Sequence, residues 1–99
     1  MKYIKSVSEF NEEIKKDNVL VDFYADWCGP CQMLGQVLEE VEKESNIEII
    51  KVNTDDFLSL ARDYKIMSIP AIKLFSKGNI VKEKVGFMTK DEVLKFLEK

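Results

Sequence analysis

The chain has 99 residues, enough for one domain over residues 1–99 and too few for a second. Hydrophobic residues make up 45% and charged residues 33%, with a formal net charge of −3, a balance typical of a soluble globular protein. The charges are dispersed, which argues against a nucleic-acid partner, and no apolar stretch has the length of a membrane span. Because the segment after Met1 lacks the apolar core of a signal peptide, we expect a cytoplasmic protein.

The first half of the chain predicts alternating strands and helices. Residues 3–4 predict a short strand, and Ser6 with Glu9 has the spacing of a capping box that opens a helix. Residues 19–24 are β-branched and aromatic with apolar side chains on both faces, which predicts a central strand. From Cys31 to about residue 45, apolar residues recur at helical spacing (Leu34, Val37, Leu38 and Val41).

The second half predicts two more helices and a hairpin. Residues 47–53 form an apolar run that predicts a strand, followed by a short helix that Asp55 or Asp56 can cap. Residues 71–75 and 80–85 predict two strands joined by a tight turn. A second capping box opens a last helix (Thr89 with Glu92). The order β-α-β-α-β-α-β-β-α predicts an α/β fold with a mixed sheet between helices.

The only two cysteines, Cys28 and Cys31, follow the predicted central strand and enclose Gly29 and Pro30. A strand that runs through this turn into a helix places the first sulfur at a helix N-terminus. There, free backbone N–H groups and the helix dipole favour a thiolate. Proline in the first helical turn costs no hydrogen bond. The pattern therefore indicates thiol–disulfide exchange.

Two other uses of the cysteine pair remain open from the residues alone. A static disulfide would close a very short loop, which removes little entropy from the unfolded chain. A metal site needs about four ligands, yet the sequence has no histidine and no third cysteine. A metal or iron–sulfur site would therefore have to be shared between two subunits.

Residues 21–31 closely resemble the active-site segment of the thioredoxin family, as do residues 51–55, 69–71 and 85–86, in the family's order and spacing. The resemblance covers nearly the whole chain. It implies the thioredoxin fold, a central mixed five-stranded sheet flanked by four helices. It also implies a protein-disulfide reductase that needs no bound cofactor or metal, acts on many protein disulfides and is recharged by a thioredoxin reductase. We expect it to act as a monomer.

The resemblance implies roles for four chemical groups. Cys28 is the expected attacking thiolate, and Cys31 the thiol that resolves the mixed disulfide. Asp22 interrupts an apolar strand, so desolvation is expected to raise its pKa. The resemblance places it beneath the cysteines, where it can accept the proton of Cys31. Lys51 matches a lysine that relatives place near this aspartate; a purely structural ion pair is the alternative.

The resemblance also implies a substrate-binding surface. Pro70 is the expected cis-proline, which leaves the backbone of Ile69 free to pair with an extended substrate. It would form a small apolar patch around Cys28 together with neighbouring residues (Trp27, Gly29, Pro30, Val85 and Gly86). Such a patch suits many protein substrates because it relies on shape and main-chain pairing.

Three positions depart from the pattern of many relatives. Gln36 stands where a helix-bending proline is common, Gln32 where a lysine is common, and Ala71 where a threonine often follows the cis-proline. None of them removes a reacting group. An oxidase or isomerase domain, or a binding module with incidental thiols, is the competing interpretation. The sequence leaves open whether the electron donor is an NADPH-dependent flavoprotein or a ferredoxin-linked reductase.

Overall fold

The computed structural model describes residues 1–98, which form a five-stranded mixed sheet with four helices. The strand order is β1-β3-β2-β4-β5; β1, β3 and β2 run parallel, while β4 pairs antiparallel with both β2 and β5. The predicted architecture is confirmed. The elements are β1 (Lys2–Tyr3), α1 (Val7–Glu13), β2 (Val19–Tyr24), α2 (Gly29–Ser45), β3 (Glu48–Asn53), α3 (Leu58–Asp63), β4 (Ala71–Ser76), β5 (Asn79–Val85) and α4 (Lys90–Leu97).

Strand β2 lies at the centre of the sheet because both of its faces are apolar. Val21 and Phe23 belong to the core that includes Phe10 of α1, while Leu20 belongs to the core beneath α2 and α4. Side chains alternate along a strand, so Asp22 shares the face of Leu20. This alternation places a carboxylate on the α2 side of the sheet.

The helix starts agree with the predictions at α1 and α4 and differ at α3. Thr89 and Glu92 form a complete capping box. The expected cap of α3 by Asp55 or Asp56 is wrong, because α3 begins at Leu58 without a side-chain cap. Instead, the Asn53 Oδ1 accepts from the backbone N–H groups of both aspartates, at 2.9 and 3.3 Å. This Asx-type turn takes the chain out of β3 before the helix starts.

The predicted hairpin between β4 and β5 is confirmed. Its turn residues, Lys77 and Gly78, both have positive φ (52° and 85°), as a tight two-residue turn requires. Within residues 1–98, no helix combines the length and the apolar character needed to cross a membrane.

Candidate active site

The two cysteines lie where β2 leads into α2. Cys28 is the N-cap residue of α2, with an extended backbone, and its Sγ accepts from the backbone N–H of Cys31 at 3.2 Å. The two residues form a disulfide, and their Cα atoms are 5.2 Å apart. Pro30 occupies the first helical turn, as predicted. Helix α2 begins at Gly29, two residues earlier than its apolar periodicity indicates, because the disulfide segment forms its first turn.

Both sulfurs are covered in this disulfide state. Cys28 is 5% exposed and Cys31 is 2% exposed, so Cys28 is much less exposed than its position at a helix start indicates. The cover comes from Ala25, Tyr24 and Ile69, which pack against the cysteine pair. The packing of Tyr24 against the cluster of Ala25 and the two cysteines is a feature that the sequence analysis missed, although its position at the end of β2 indicates it.

The peptide bond between Ile69 and Pro70 is cis, as the resemblance implies. The Cys28 Sγ lies 4.0 Å from the carbonyl oxygen of Ile69. Gly86, at φ +100°, donates its N–H to the carbonyl of Pro70 at 2.8 Å. The residues assigned from the 69–71 and 85–86 segments are therefore joined to each other, and the first segment contacts the sulfur of Cys28.

An exposed apolar surface surrounds this junction. Trp27 is 72% exposed, and its Nε1 donates to the Asp55 carboxylate at 2.9 Å. Val85 is 60% exposed. Sequence reasoning missed Met67, which precedes Ile69 by two residues and is 92% exposed, and the half-exposed Phe87 after Gly86. Their positions beside the two recognised segments are the signal that could have identified them.

Asp22 and Lys51 form a buried ion pair on the α2 side of the sheet. They face each other in the β2–β3 register, are 0% and 4% exposed, and are joined by a 2.7 Å bond from Lys51 Nζ to Asp22 Oδ2. Asp22 Oδ1 has no hydrogen-bond partner within residues 1–98. Burial raises the pKa of Asp22, and the Lys51 ammonium offsets only part of that rise.

Lys51 makes two further close approaches. Its ammonium lies 4.5 Å from the centroid of the Tyr24 ring, within cation–π range. Lys51 also lines a pocket of about 400 Å³ that is lined by Cys31 as well. Cys31 and Lys51 therefore lie at the same opening, whereas Asp22 does not line it.

The departures from the common pattern have modest structural effects. Helix α2 runs without interruption through Gln36, where many relatives have a proline. The Gln32 side chain donates to the backbone carbonyl of Asp26 at 2.8 Å, so it ties the first turn of α2 to the preceding loop. Within residues 1–98, no group of three or more histidine, cysteine or acidic side chains has the arrangement of a metal site.

Comparison with known proteins agrees with this site. The family model described as Thioredoxin matches residues 2–99. Thioredoxin of Chlamydia caviae is 43% identical over 95 residues, covering 95% of this chain and 93% of that protein. Thioredoxin of Pyropia yezoensis is 41% identical over 96 residues, covering 93% of this chain and 90% of that protein.

Solved structures show the same fold. Thioredoxin from Plasmodium falciparum superposes with a TM-score of 0.91 at 29% identity, covering 98% of this chain and 96% of that one. A mutant thioredoxin from Halobacterium salinarum superposes with a TM-score of 0.89 at 35% identity, covering 97% of this chain and 86% of that one.

A disulfide at a helix N-terminus, beside a cis-proline, on this fold defines a thiol–disulfide oxidoreductase. The chain belongs to the thioredoxin family. The function predicted from the sequence, protein-disulfide reduction and electron transfer through a reversible Cys28–Cys31 dithiol, is thereby confirmed.

Proposed function

We propose that Cys28 attacks the substrate disulfide, Cys31 resolves the intermediate, and Asp22 takes the proton of Cys31. In the first step, the Cys28 thiolate forms a bond to one substrate sulfur and the other leaves as a thiolate. In the second step, Cys31 bonds to Cys28 Sγ and the mixed disulfide breaks. Two electrons pass to the substrate, whose two sulfurs leave as thiolates and take up protons from solvent, and the Cys28–Cys31 disulfide forms.

The position of Cys28 at the helix start carries this proposal. Its sulfur accepts from the backbone N–H of Cys31 and lies at the positive end of the α2 dipole. Both interactions favour a negative sulfur, so we expect the pKa of the reduced Cys28 thiol to lie below that of free cysteine. Cys31 lies inside the first turn, away from the N-cap position, and is almost fully buried, which favours its protonated form.

The geometry of Asp22 supports a base for the second step. A carboxylate with a raised pKa can take a proton near neutral pH and release it again, which a normal aspartate does poorly. Lys51, bonded to Oδ2, keeps the carboxylate in place and leaves Oδ1 as the accepting atom. We assign Lys51 a positioning role toward Asp22.

Main-chain pairing at Ile69 and the exposed apolar surface support the binding of protein substrates. The carbonyl of Ile69 lies beside Cys28 Sγ, so a substrate strand paired there brings its disulfide to the nucleophile. The surrounding surface consists of apolar residues and glycines and therefore selects weakly among sequences (Trp27, Gly29, Pro30, Val85 and Gly86). Pro70 is buried, so its contribution is the cis bond that positions Ile69.

The cycle requires a reductant for the Cys28–Cys31 disulfide. Family membership supports a thioredoxin reductase as the electron donor and protein disulfides as acceptors. A reductase of this kind works where thiols are kept reduced, so we place the protein in the cytoplasm. We expect it to act there as a single-domain monomer.

Reduction of insulin disulfides by dithiothreitol, with and without the protein, tests the proposed cycle. We expect strong acceleration by the wild type and none by Cys28→Ser. Cys31→Ser should form the mixed disulfide and retain it, so that substrates stay covalently attached. Equal trapping by Cys28→Ser and Cys31→Ser would contradict the assigned order of attack.

A further inference from the structure

The pocket behind the dithiol has no part in the roles assigned so far. It has a volume of about 400 Å³, and its lining includes Cys31, Lys51, Tyr24, Gly35 and Gln36. Cys31 and Lys51 are almost fully buried, so they lie at its inner end, whereas Gln36 is exposed at its mouth. A polar-lined opening of this size admits several water molecules.

Asp22 needs a route for its proton. If it is the base proposed above, it gains one proton from Cys31 in each turn and must lose it before the next. Its side chain is 0% exposed and does not line the pocket. The only protein group bonded to its carboxylate within residues 1–98 is the Lys51 ammonium.

Lys51 connects the carboxylate to the pocket. Its Nζ is 2.7 Å from Asp22 Oδ2, and the same side chain lines the cavity. Water in the pocket can therefore reach the ion pair at Lys51. When Asp22 is protonated, it can pass its proton to this water, so that Asp22 is again a carboxylate beside the Lys51 ammonium and one proton has passed to solvent.

Gly35 is the residue of α2 that faces this ammonium. A Cβ built on Gly35 would lie 3.5 Å from Lys51 Nζ, in ordinary van der Waals contact. A methyl group therefore just fits, whereas a longer side chain must fill the pocket or displace the ammonium.

We propose that the pocket between Tyr24, Gly35, Gln36 and Lys51 is the path by which Asp22 exchanges its proton with solvent, and that Gly35 is the positioning residue that keeps its inner end open. This inference rests on the proposed role of Asp22 as a base. It separates two surfaces of the site: substrates dock on the side of Trp27 and Ile69, and protons pass on the side of Gly35.

Three variants test the path. Gly35→Leu fills its inner end, and Gln36→Phe narrows its mouth at an exposed position that should not disturb folding. Gly35→Ala is the matched control, because its methyl group fits beside Lys51 without filling the pocket. All three leave the docking surface unchanged.

An aromatic disulfide with two coloured halves reports both chemical steps in a single turnover. Attack by Cys28 releases the first coloured thiolate, and attack by Cys31 releases the second. Asp22 loses its proton only between turns, so a blocked path should leave both releases of the first turnover at the wild-type rate. Under repeated turnover with excess dithiothreitol, we expect Gly35→Leu to be about tenfold slower than the wild type, somewhat less than the full contribution of general-base assistance. Gln36→Phe should be slowed less, and Gly35→Ala should match the wild type.

The solvent deuterium isotope effect on repeated turnover distinguishes a blocked proton path from a distorted site. It should increase in Gly35→Leu and Gln36→Phe, because loss of the Asp22 proton then limits turnover; a structural defect would leave it unchanged. If both variants turn over repeatedly as fast as Gly35→Ala does, the proposal is overturned. Should Gly35→Leu fail to fold, Gln36→Phe decides the question alone.

Asp22→Asn, measured in the same way, separates this inference from the proposed function. If Asp22→Asn resolves the mixed disulfide at the wild-type rate, Asp22 is not the base and the proposed proton path is wrong as well. If Asp22→Asn is slow while both pocket variants are fast, Asp22 remains the base and only the path is wrong.

Discussion

Two buried carboxylates in this small protein have opposite protonation behaviour. Glu13 at the end of α1 is 7% exposed, and its pKa is lowered to about 2. Asp22 in β2 is 0% exposed, and its pKa is raised. Both side chains are largely removed from solvent, so much of the difference lies in their partners.

Glu13 has two cationic partners and Asp22 has one. Lys2 Nζ and Lys16 Nζ donate to the two oxygens of Glu13 at 2.8 and 2.9 Å, and these hydrogen bonds outweigh the cost of burial. Both lysine side chains remain about half exposed, so they stay hydrated. Lys51 is itself buried and bonds only one oxygen of Asp22, which leaves desolvation as the larger effect.

The comparison indicates what each acid contributes. Glu13 links β1 to α1 through Lys2, and through Lys16 it extends to Glu48 of β3. It is a structural ion pair that stays charged at neutral pH. Burial raises the pKa of Asp22, which makes proton uptake easier at the expense of stability, as its proposed role as a base for Cys31 requires.

The largest expected difference is in turnover. Asp22→Asn should slow insulin reduction at neutral pH by about tenfold or more, because the second step loses its base. Glu13→Gln, the matched control at the other buried carboxylate, should leave turnover unchanged. Equal turnover in the two variants would remove the functional contrast between the acids.

The next effect is on stability. Glu13→Gln should lower the free energy of unfolding at pH 7 by about 1–2 kcal/mol, since two charge-assisted hydrogen bonds are lost while their lysines can return to water. Because the folded pKa of Glu13 is depressed from 4.5 to about 2, its stabilisation is present above pH 4.5 and is lost as pH falls toward 2. Urea unfolding of both proteins should therefore converge near pH 2; a difference independent of pH would contradict the charge explanation.

Asp22 should show the opposite pH dependence. Its folded pKa lies above 3.8, so protonation contributes stability that is complete below pH 3.8 and lost as pH rises through the folded pKa. Asp22→Asn should therefore be more stable than the wild type at pH 8, by about 1 kcal/mol, with the difference disappearing near pH 4. Denaturant unfolding at pH 8 and near pH 4 measures this difference. If Asp22→Asn were less stable than the wild type at pH 8, the ion pair with Lys51 would stabilise the protein by more than the burial of the Asp22 charge costs.

The smallest expected effect is the difference in stability contributed by the two lysine partners of Glu13. Lys16→Gln should cost less stability than Glu13→Gln, because Lys2 still bonds the carboxylate. Lys15→Gln is a suitable control, since the Lys15–Glu12 pair is exposed and should contribute nothing measurable. If all three variants unfold at the same urea concentration, the Glu13 cluster has no structural role.

The sequence predicts the sheet and the cysteine chemistry because both depend on local patterns. Periodicity identifies β2 and α2, and the two cysteines enclose their own turn. The start of α3 could not be predicted, because Asn53 competes for the N–H groups of both aspartates through a turn with no periodic signal. The burial of Glu13 depends on Lys2, which only the assembled sheet brings to α1.

The short distance between Gly35 and Lys51 also arises only when the fold is assembled. These residues belong to a helix and a strand that meet only through packing, so their separation in sequence gives no indication of it. Family resemblance supplies the cis bond before Pro70 and the site of Asp22, whereas periodicity does not. What the sequence misses are contacts between elements that are distant along the chain.

Alkylation of the reduced protein across pH, with each labelled cysteine located by mass spectrometry, tests most directly whether Cys28 is the thiolate and Cys31 the protonated thiol. We expect Cys28 to react first, with an apparent pKa below that of free cysteine, while Cys31 stays unmodified until the solution is alkaline. Equal reactivity of both thiols, with the pH dependence of free cysteine in water, would contradict it.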